Sequence, residues 1–397
     1  MSIIVLAIVI MLWIFYINKK DIQALTFLLN ATVIYYNQFI NKIEIDFIIK
    51  LLFLLTFIIY SIRFGARVKV LKIAIPLILV MYFCSLIDAQ WSYNYTFIAS
   101  ITAFSSFFTG IYATCIYWEK SHAINLLVTL SRLAIVSLIL GIPLATIGFV
   151  EYLGRFGTAI AGASLSTNLA FFGTIGVMAS AILYNLQKND KYRFLQYVNF
   201  VIVCATLTRG GIIASFLILI PDILKILKEM FYKSKYLIIV FFTVVIATYP
   251  AFILVKSLLK RTFVEGELNT SGRIEAWKHI ITLVNNKWFG NGYGCLKTLT
   301  DDIHLRAFTA SHNEYIRIYF ETGIVGLIII GIVIIYLFRV GIKNRITSRK
   351  IYIYMLYLAF LVYSFFDNCI TNFRFWIPFM IIISILGTYR KRIKLKL

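Results

Sequence analysis

Apolar runs of about 17 to 25 residues recur along almost the whole of this 397-residue chain, and no other feature limits its fold so tightly. Each run can cross a hydrocarbon core of about 30 Å as a helix rising 1.5 Å per residue. In lipid every backbone N–H and C=O must find a partner within the protein, which favours helices for runs of this length. The sequence therefore predicts an all-α polytopic membrane protein. Runs near 3–17, 21–40, 44–62, 70–88, 95–117, 123–150, 167–186, 193–208, 211–227, 235–257, 319–338, 350–367 and 371–388 give an expected count of about 12–13 transmembrane helices. The first run lacks a basic segment before it and a small-residue cleavage pattern after it, and Lys19 and Lys20 follow at once. It reads as an anchor with its N-terminus outside, not as a signal peptide.

Charge fixes the orientation. Lys and Arg number 39 and Asp and Glu 17, a formal +22 that in a soluble chain would suggest a nucleic-acid partner. Only 14% of residues are charged, however, against roughly 25% in soluble domains. When the runs alternate across the membrane, loops on one side hold 24 of the basic residues and short loops on the other hold 4. By the positive-inside rule the C-terminus is cytoplasmic, and no nucleic acid is needed to explain the charge. The expected organisation is an N-terminal bundle of about ten spans over 1–257, an extracytoplasmic loop over 258–318, and C-terminal spans with a basic tail over 319–397. Five scattered cysteines, without CxxC spacing, give no disulfide framework or zinc site.

The long outside loop is where chemistry is expected. It contains Trp277, Trp288, Phe289, Tyr293 and Phe308, so it is not low-complexity and should fold. From Ser271 onward, Ile274, Trp277, Ile281 and Val284 follow helical spacing, ended by Gly290-Asn-Gly-Tyr-Gly294, which reads as a turn rather than a dinucleotide fingerprint. Arg273 falls in the first turn of that helix, where the dipole disfavours a cation. Either an anion such as phosphate sits there, held by the guanidinium and helix N–H groups, or Arg273 is a solvated surface residue. Ser311-His-Asn-Glu314 has capping-box spacing and makes His312 the first residue of a second helix. That position favours a neutral imidazole able to accept a proton, although a histidine can also merely occupy a helix start. Arg209, in Thr208-Arg-Gly-Gly211, separates two apolar runs with almost no loop. At that depth it is either functional or snorkels to the headgroups. His122, His279 and His304 lack metal-ligand spacing, so no metal or other cofactor is expected.

These features in this order resemble the O-antigen ligase and polymerase family. The Thr-Arg-Gly-Gly turn, the Ser-Gly-Arg helix start before Trp277, the turn near Gly292, and Ser-His-Asn-Glu-Tyr leading into Glu321-Thr-Gly-Ile-Val-Gly326 carry the likeness over roughly residues 165–330. Thr208 stands where the family more often has serine, and thirteen runs exceed the twelve of ligases. The resemblance implies a fold like that of C-class membrane glycosyltransferases. It also implies a bacterial inner-membrane enzyme taking a glycan from undecaprenyl diphosphate on the outer face. The acceptor would be a lipid A core sugar in a ligase, or another lipid-linked repeat unit in a polymerase. His312, Arg273 and Arg209 would be catalytic. Arg209, Arg273, Asn313, Trp277 and Tyr315 would bind substrate, the aromatics along the sugar path.

The residue chemistry agrees with that expectation: two guanidinium groups can stabilise a departing diphosphate without metal, and His312 can take the acceptor proton in an inverting attack. The alternative reading is a flippase for lipid-linked oligosaccharide or another transporter. It would place ionisable residues near the bilayer middle and needs no folded outer loop.

Overall fold

The computed structural model describes residues 2–19, 21–34, 39–40, 43–92, 94–154, 159–232, 263–264, 267–268, 272–299, 311–343 and 350–393. Among the described residues, nine helices precede the long loop: α1 (Ser2–Ile17), α2 (Gln23–Ala31), α3 (Ile45–Phe64), α4 (Val68–Ser85), α5 (Phe97–Ala113), α6 (Lys120–Thr146), α7 (Ser166–Gln187), α8 (Asp190–Ala205) and α9 (Arg209–Tyr232). The loop contributes α10 (Arg273–Thr282), after which come α11 (Glu314–Lys343), α12 (Lys350–Phe366) and α13 (Phe373–Ile393). Strand structure among the described residues is confined to two hairpins with two-residue strands, at 39–44 and 263–268. Helices α3, α4, α6, α7 and, over Glu314–Val340, α11 are long and apolar enough to cross a membrane. Ile4–Ile17, Phe97–Ala113, Ile351–Phe366 and Phe373–Gly387 are shorter apolar helices. The protein is an all-α, multi-pass membrane protein, as the apolar runs require.

The largest departure from an expected span is at 21–40. The run 21–40 contains α2, nine residues and about 13.5 Å long. Polar side chains fold back onto the chain at its end: Asn30 Nδ2 donates to Thr26 O at 2.8 Å and Thr32 Oγ1 to Leu29 O at 2.7 Å. Such bonds satisfy carbonyls that a continuing helix would otherwise pair. Trp13 Nε1 donates to Thr56 Oγ1 at 2.8 Å, and further along both helices Arg63 donates to Lys19 O at 2.9 Å. Helices α1 and α3 therefore run parallel. The run 235–257 lies outside the described residues.

Helix α13 lies at the centre, with every residue from 373 to 387 buried. Its Trp376 stacks on Phe107 of α5, with ring centroids 5.6 Å apart, and donates to Phe107 O at 3.1 Å. Phe379 stacks on Phe360 of α12 at 4.6 Å. Outer helices keep an apolar outward stripe instead: Ile351, Tyr354, Leu358, Leu361 and Phe365 of α12 are exposed at helical spacing. Lipid makes such a face apolar, so these helices carry little of the polar periodicity of a soluble bundle.

Helix α11 is broken at Gly323, whose φ of +64° and ψ of −164° no helix contains. The glycine-rich turn fills the break. Ile324 and Val325 N–H donate to Lys287 O (2.9 Å) and Trp288 O (3.1 Å), while Phe320 and Glu321 carbonyls accept from Asn291 N (2.9 Å) and Gly292 N (3.1 Å). Donors and acceptors orphaned by the kink are thus all met by one short segment. A Cβ on Gly290 would lie 2.5 Å from Glu321 C, and one on Gly323 would lie 2.3 Å from Trp288 C. Glycine at both positions is what lets the two backbones meet.

Candidate functional site

The short turn between α12 and α13, residues 367–372, is where the predicted residues converge. Helix α12 ends at Phe366, leaving carbonyls at its C-terminus that need donors. Arg273, the first residue of α10, donates from a terminal guanidinium nitrogen to Phe366 O at 3.0 Å. Its place in the first turn of its own helix, unfavourable by itself, is offset because its charge meets the negative end of α12. Arg209 opens α9, whose next residue packs against Phe366. Next to it, a Cβ on Gly210 would stand 2.6 Å from Phe366 Cβ, so glycine is needed for α9 to start against the end of α12. The two arginines, 64 positions apart in sequence, thus begin helices that both reach Phe366. Both are half-buried.

His312 faces the turn. Its Nδ1 lies 3.2 Å from Asp367 Oδ1, with side chains 22% and 10% exposed. When Nδ1 carries the proton and donates to Asp367, Nε2 bears the lone pair, so the carboxylate selects the tautomer and aim of the ring. The tautomer follows from this hydrogen-bond logic, since Nδ1 can donate only when it is protonated. Around this pair Ser311 Oγ donates to Asn313 O at 2.8 Å, and Trp277 Nε1 donates to Ser311 O at 2.7 Å. Trp277 also packs edge-on against Phe365 at 5.7 Å. Tyr315, partly exposed, donates its hydroxyl to Leu361 O at 3.0 Å. Both aromatics tie the loop and α11 to α12 and border the site.

The helix start differs from the expected capping box. Helix α11 begins at Glu314, and Asn313 is the capping residue: its Oδ1 accepts from Tyr315 N (3.0 Å) and Ile316 N (3.2 Å). Asparagine caps as well as serine, and here it stands directly before the helix. His312 is not the first helical residue. It takes φ +48° just outside the helix, a left-handed bend that directs it away from the α11 axis and towards Asp367. Buried Asn313 is therefore committed to the backbone, while His312 is committed to the turn.

Sequence reasoning overlooked the roles of four residues. Asp367 is one of 17 acidic residues in the chain and sits at the junction of two apolar runs, a signal that could have singled it out. Glu314, Arg317 and Glu321 recur at i, i+3 and i+7 on one helix face, a spacing that brings charges together. In the folded chain Arg317 Nε meets Glu314 Oε2 at 2.6 Å, its other arm meets Glu321, and the guanidinium lies 5.5 Å from the Tyr293 ring. All three are buried.

Other candidates do not join. His122 pairs with Asp21 at 3.4 Å, next to Lys19 and Phe64 at the far end of the bundle. Asp301, Asp302, His304 and Phe308 lie outside the described residues. No group of three metal-ligating side chains forms among the described residues. Cys295 and Cys369 are both unpaired thiols, and burial holds each well above the usual thiol range, which removes them as nucleophiles near neutral pH.

Residues 196–331 match the family model described as O-antigen ligase. The match begins in α8, takes in Arg209, Arg273 and His312, and ends within α11, short of Asp367. It supports assignment to the O-antigen ligase and polymerase family. No curated protein matches the chain.

Proposed function

We propose that this chain, a polytopic membrane enzyme of the O-antigen ligase and polymerase type, transfers a glycan from undecaprenyl diphosphate to a sugar hydroxyl on the outer face of the bacterial inner membrane. The observation that carries this reading is the convergence of Arg209, Arg273 and the His312–Asp367 pair on the end of α12. As the anomeric carbon leaves the diphosphate, negative charge accumulates on the leaving oxygens. Guanidinium forks fixed beside a helix terminus are suited to that charge, because they need little reorganisation as it develops. His312 Nε2 takes the proton of the acceptor hydroxyl, Asp367 steadies the imidazolium that forms, and attack from the face opposite the diphosphate inverts the anomeric centre.

The arginines take the charge-neutralising role that a divalent cation has in other glycosyltransferases. Purified protein should therefore turn over in excess chelator. Loss of activity restored by one particular metal would transfer the central role to other carboxylates or histidines. Deleting the gene and examining the surface polysaccharide on a gel separates the two acceptors. Loss of the ladder with one repeat still attached identifies a polymerase, whereas lipid-linked chains left unattached identify a ligase.

A further inference from the structure

The transferase reading leaves open what holds its base in place, and the present inference rests on that reading. His312 occupies a bend of positive φ, and Asp367 lies in a short turn between two helices, so neither is fixed by regular structure. One carboxylate joins their two segments. Glu314 Oε1 accepts from Ile370 N at 2.6 Å, Thr371 N at 2.9 Å and Thr371 Oγ1 at 3.1 Å. Its Oε2 accepts from Arg317 Nε at 2.6 Å. Glu314 is wholly buried, two residues from His312, and its partners begin three residues after Asp367.

A buried ionic group is weak evidence for stability, because its desolvation roughly cancels its attraction and an apolar replacement can be as stable. What such a group does secure is register. Three donors from one turn converging on a single oxygen leave that turn one position relative to the start of α11. We propose that Glu314 is a positioning residue: its carboxylate sets the 367–371 turn against the His312 bend, so that Asp367 Oδ1 meets His312 Nδ1 and Nε2 is presented to the acceptor. Arg317 holds the second oxygen and is itself held by Glu321, which keeps the carboxylate aimed.

The test uses full-length protein in detergent, with the lipid extract of a strain deleted for this gene supplying accumulated donor and unmodified acceptor. Glu314→Ala should lower kcat on the order of ten- to a hundredfold, with donor KM within about twofold. Glu314→Gln keeps the oxygen that accepts from Ile370 and Thr371 but sets an NH2 donor against Arg317 Nε, so its kcat should fall between those of the parent and Glu314→Ala. In an Asp367→Ala background, Glu314→Ala should cost less than about threefold more, because the residue through which it acts is gone. The same factor in both backgrounds, or an unchanged kcat, would overturn the proposal. If Glu314→Ala does not accumulate, Thr371→Val removes one bond without touching the ion pair. A few-fold fall in its kcat that disappears in Asp367→Ala supports the positioning role, and an unaltered kcat refutes it. Wild-type turnover in His312→Ala would remove the transferase reading and this proposal together. An inactive His312→Ala beside a purely additive Glu314→Ala would remove this proposal alone.

Discussion

At the scale of single residues the site makes sharp demands on chemistry rather than on charge. Arg273 donates to Phe366 O through a planar guanidinium fork, the shape that the proposed diphosphate grip requires. Lysine could still cap that carbonyl but has no fork. Arg273→Lys should therefore be nearly as damaging as Arg273→Ala, with turnover reduced on the order of ten- to a thousandfold and protein in the membrane unchanged. Near-parental turnover in the lysine variant, measured beside an immunoblot of membranes, would rule out two-pronged binding. Asp367 should matter through the histidine it orients. Asp367→Ala is expected to reduce turnover on the order of 10² to 10⁴, by analogy with other histidine-orienting carboxylates, and to add little to His312→Ala. Independent losses in the double variant would separate the two residues.

At the scale of elements, the kink in α11 and the glycine-rich turn form one unit. Each supplies what the other lacks: the kink exposes two donors and two acceptors, and the turn answers all four. A methyl group at Gly290 adds strain at φ +76° and a contact of 2.5 Å with backbone that cannot give way. Gly290→Ala should destabilise the folded protein by about 2–4 kcal/mol and lower its melting temperature in detergent. Gly331, further along the same helix, has open space where a methyl would stand, with no neighbour within 4 Å, and Gly331→Ala should be neutral or slightly stabilising. Equal melting temperatures for the two variants would show that the turn does not seat against the kink in solution. The sequence marked both segments as glycine-rich, yet a glycine run announces only that backbone comes close to something. What it approaches, here a break 29 or more residues further along the chain, is not a local property.

At the scale of the whole molecule, orientation decides whether the site can meet its substrate. A cysteine in place of exposed Trp288 should react with a membrane-impermeant reagent in intact spheroplasts. One in place of exposed Lys188, at the opposite end of α7 from the Asn168 that bonds Asn372, should be spared until the cells are opened. The reverse pattern would put the arginines and histidine on the cytoplasmic side and end the proposed function. By itself the sequence determined the membrane class, most of the helices and the three side chains of the family pattern. Apolar length, charge asymmetry and short motifs are properties of contiguous residues, and lipid imposes them on each segment separately. Only the tertiary structure decided that the helix within the run at 21–40 is nine residues long, that Asn313 rather than Ser311 caps α11, and that Asp367 lies 3.2 Å from His312. Those outcomes depend on which helix ends come together. Arg273 and Gly210 reach Phe366, and His312 reaches Asp367 next to it, because α9, α10, α11 and α12 all bring a terminus there, and the unsatisfied groups at those termini choose partners across the fold rather than along the chain.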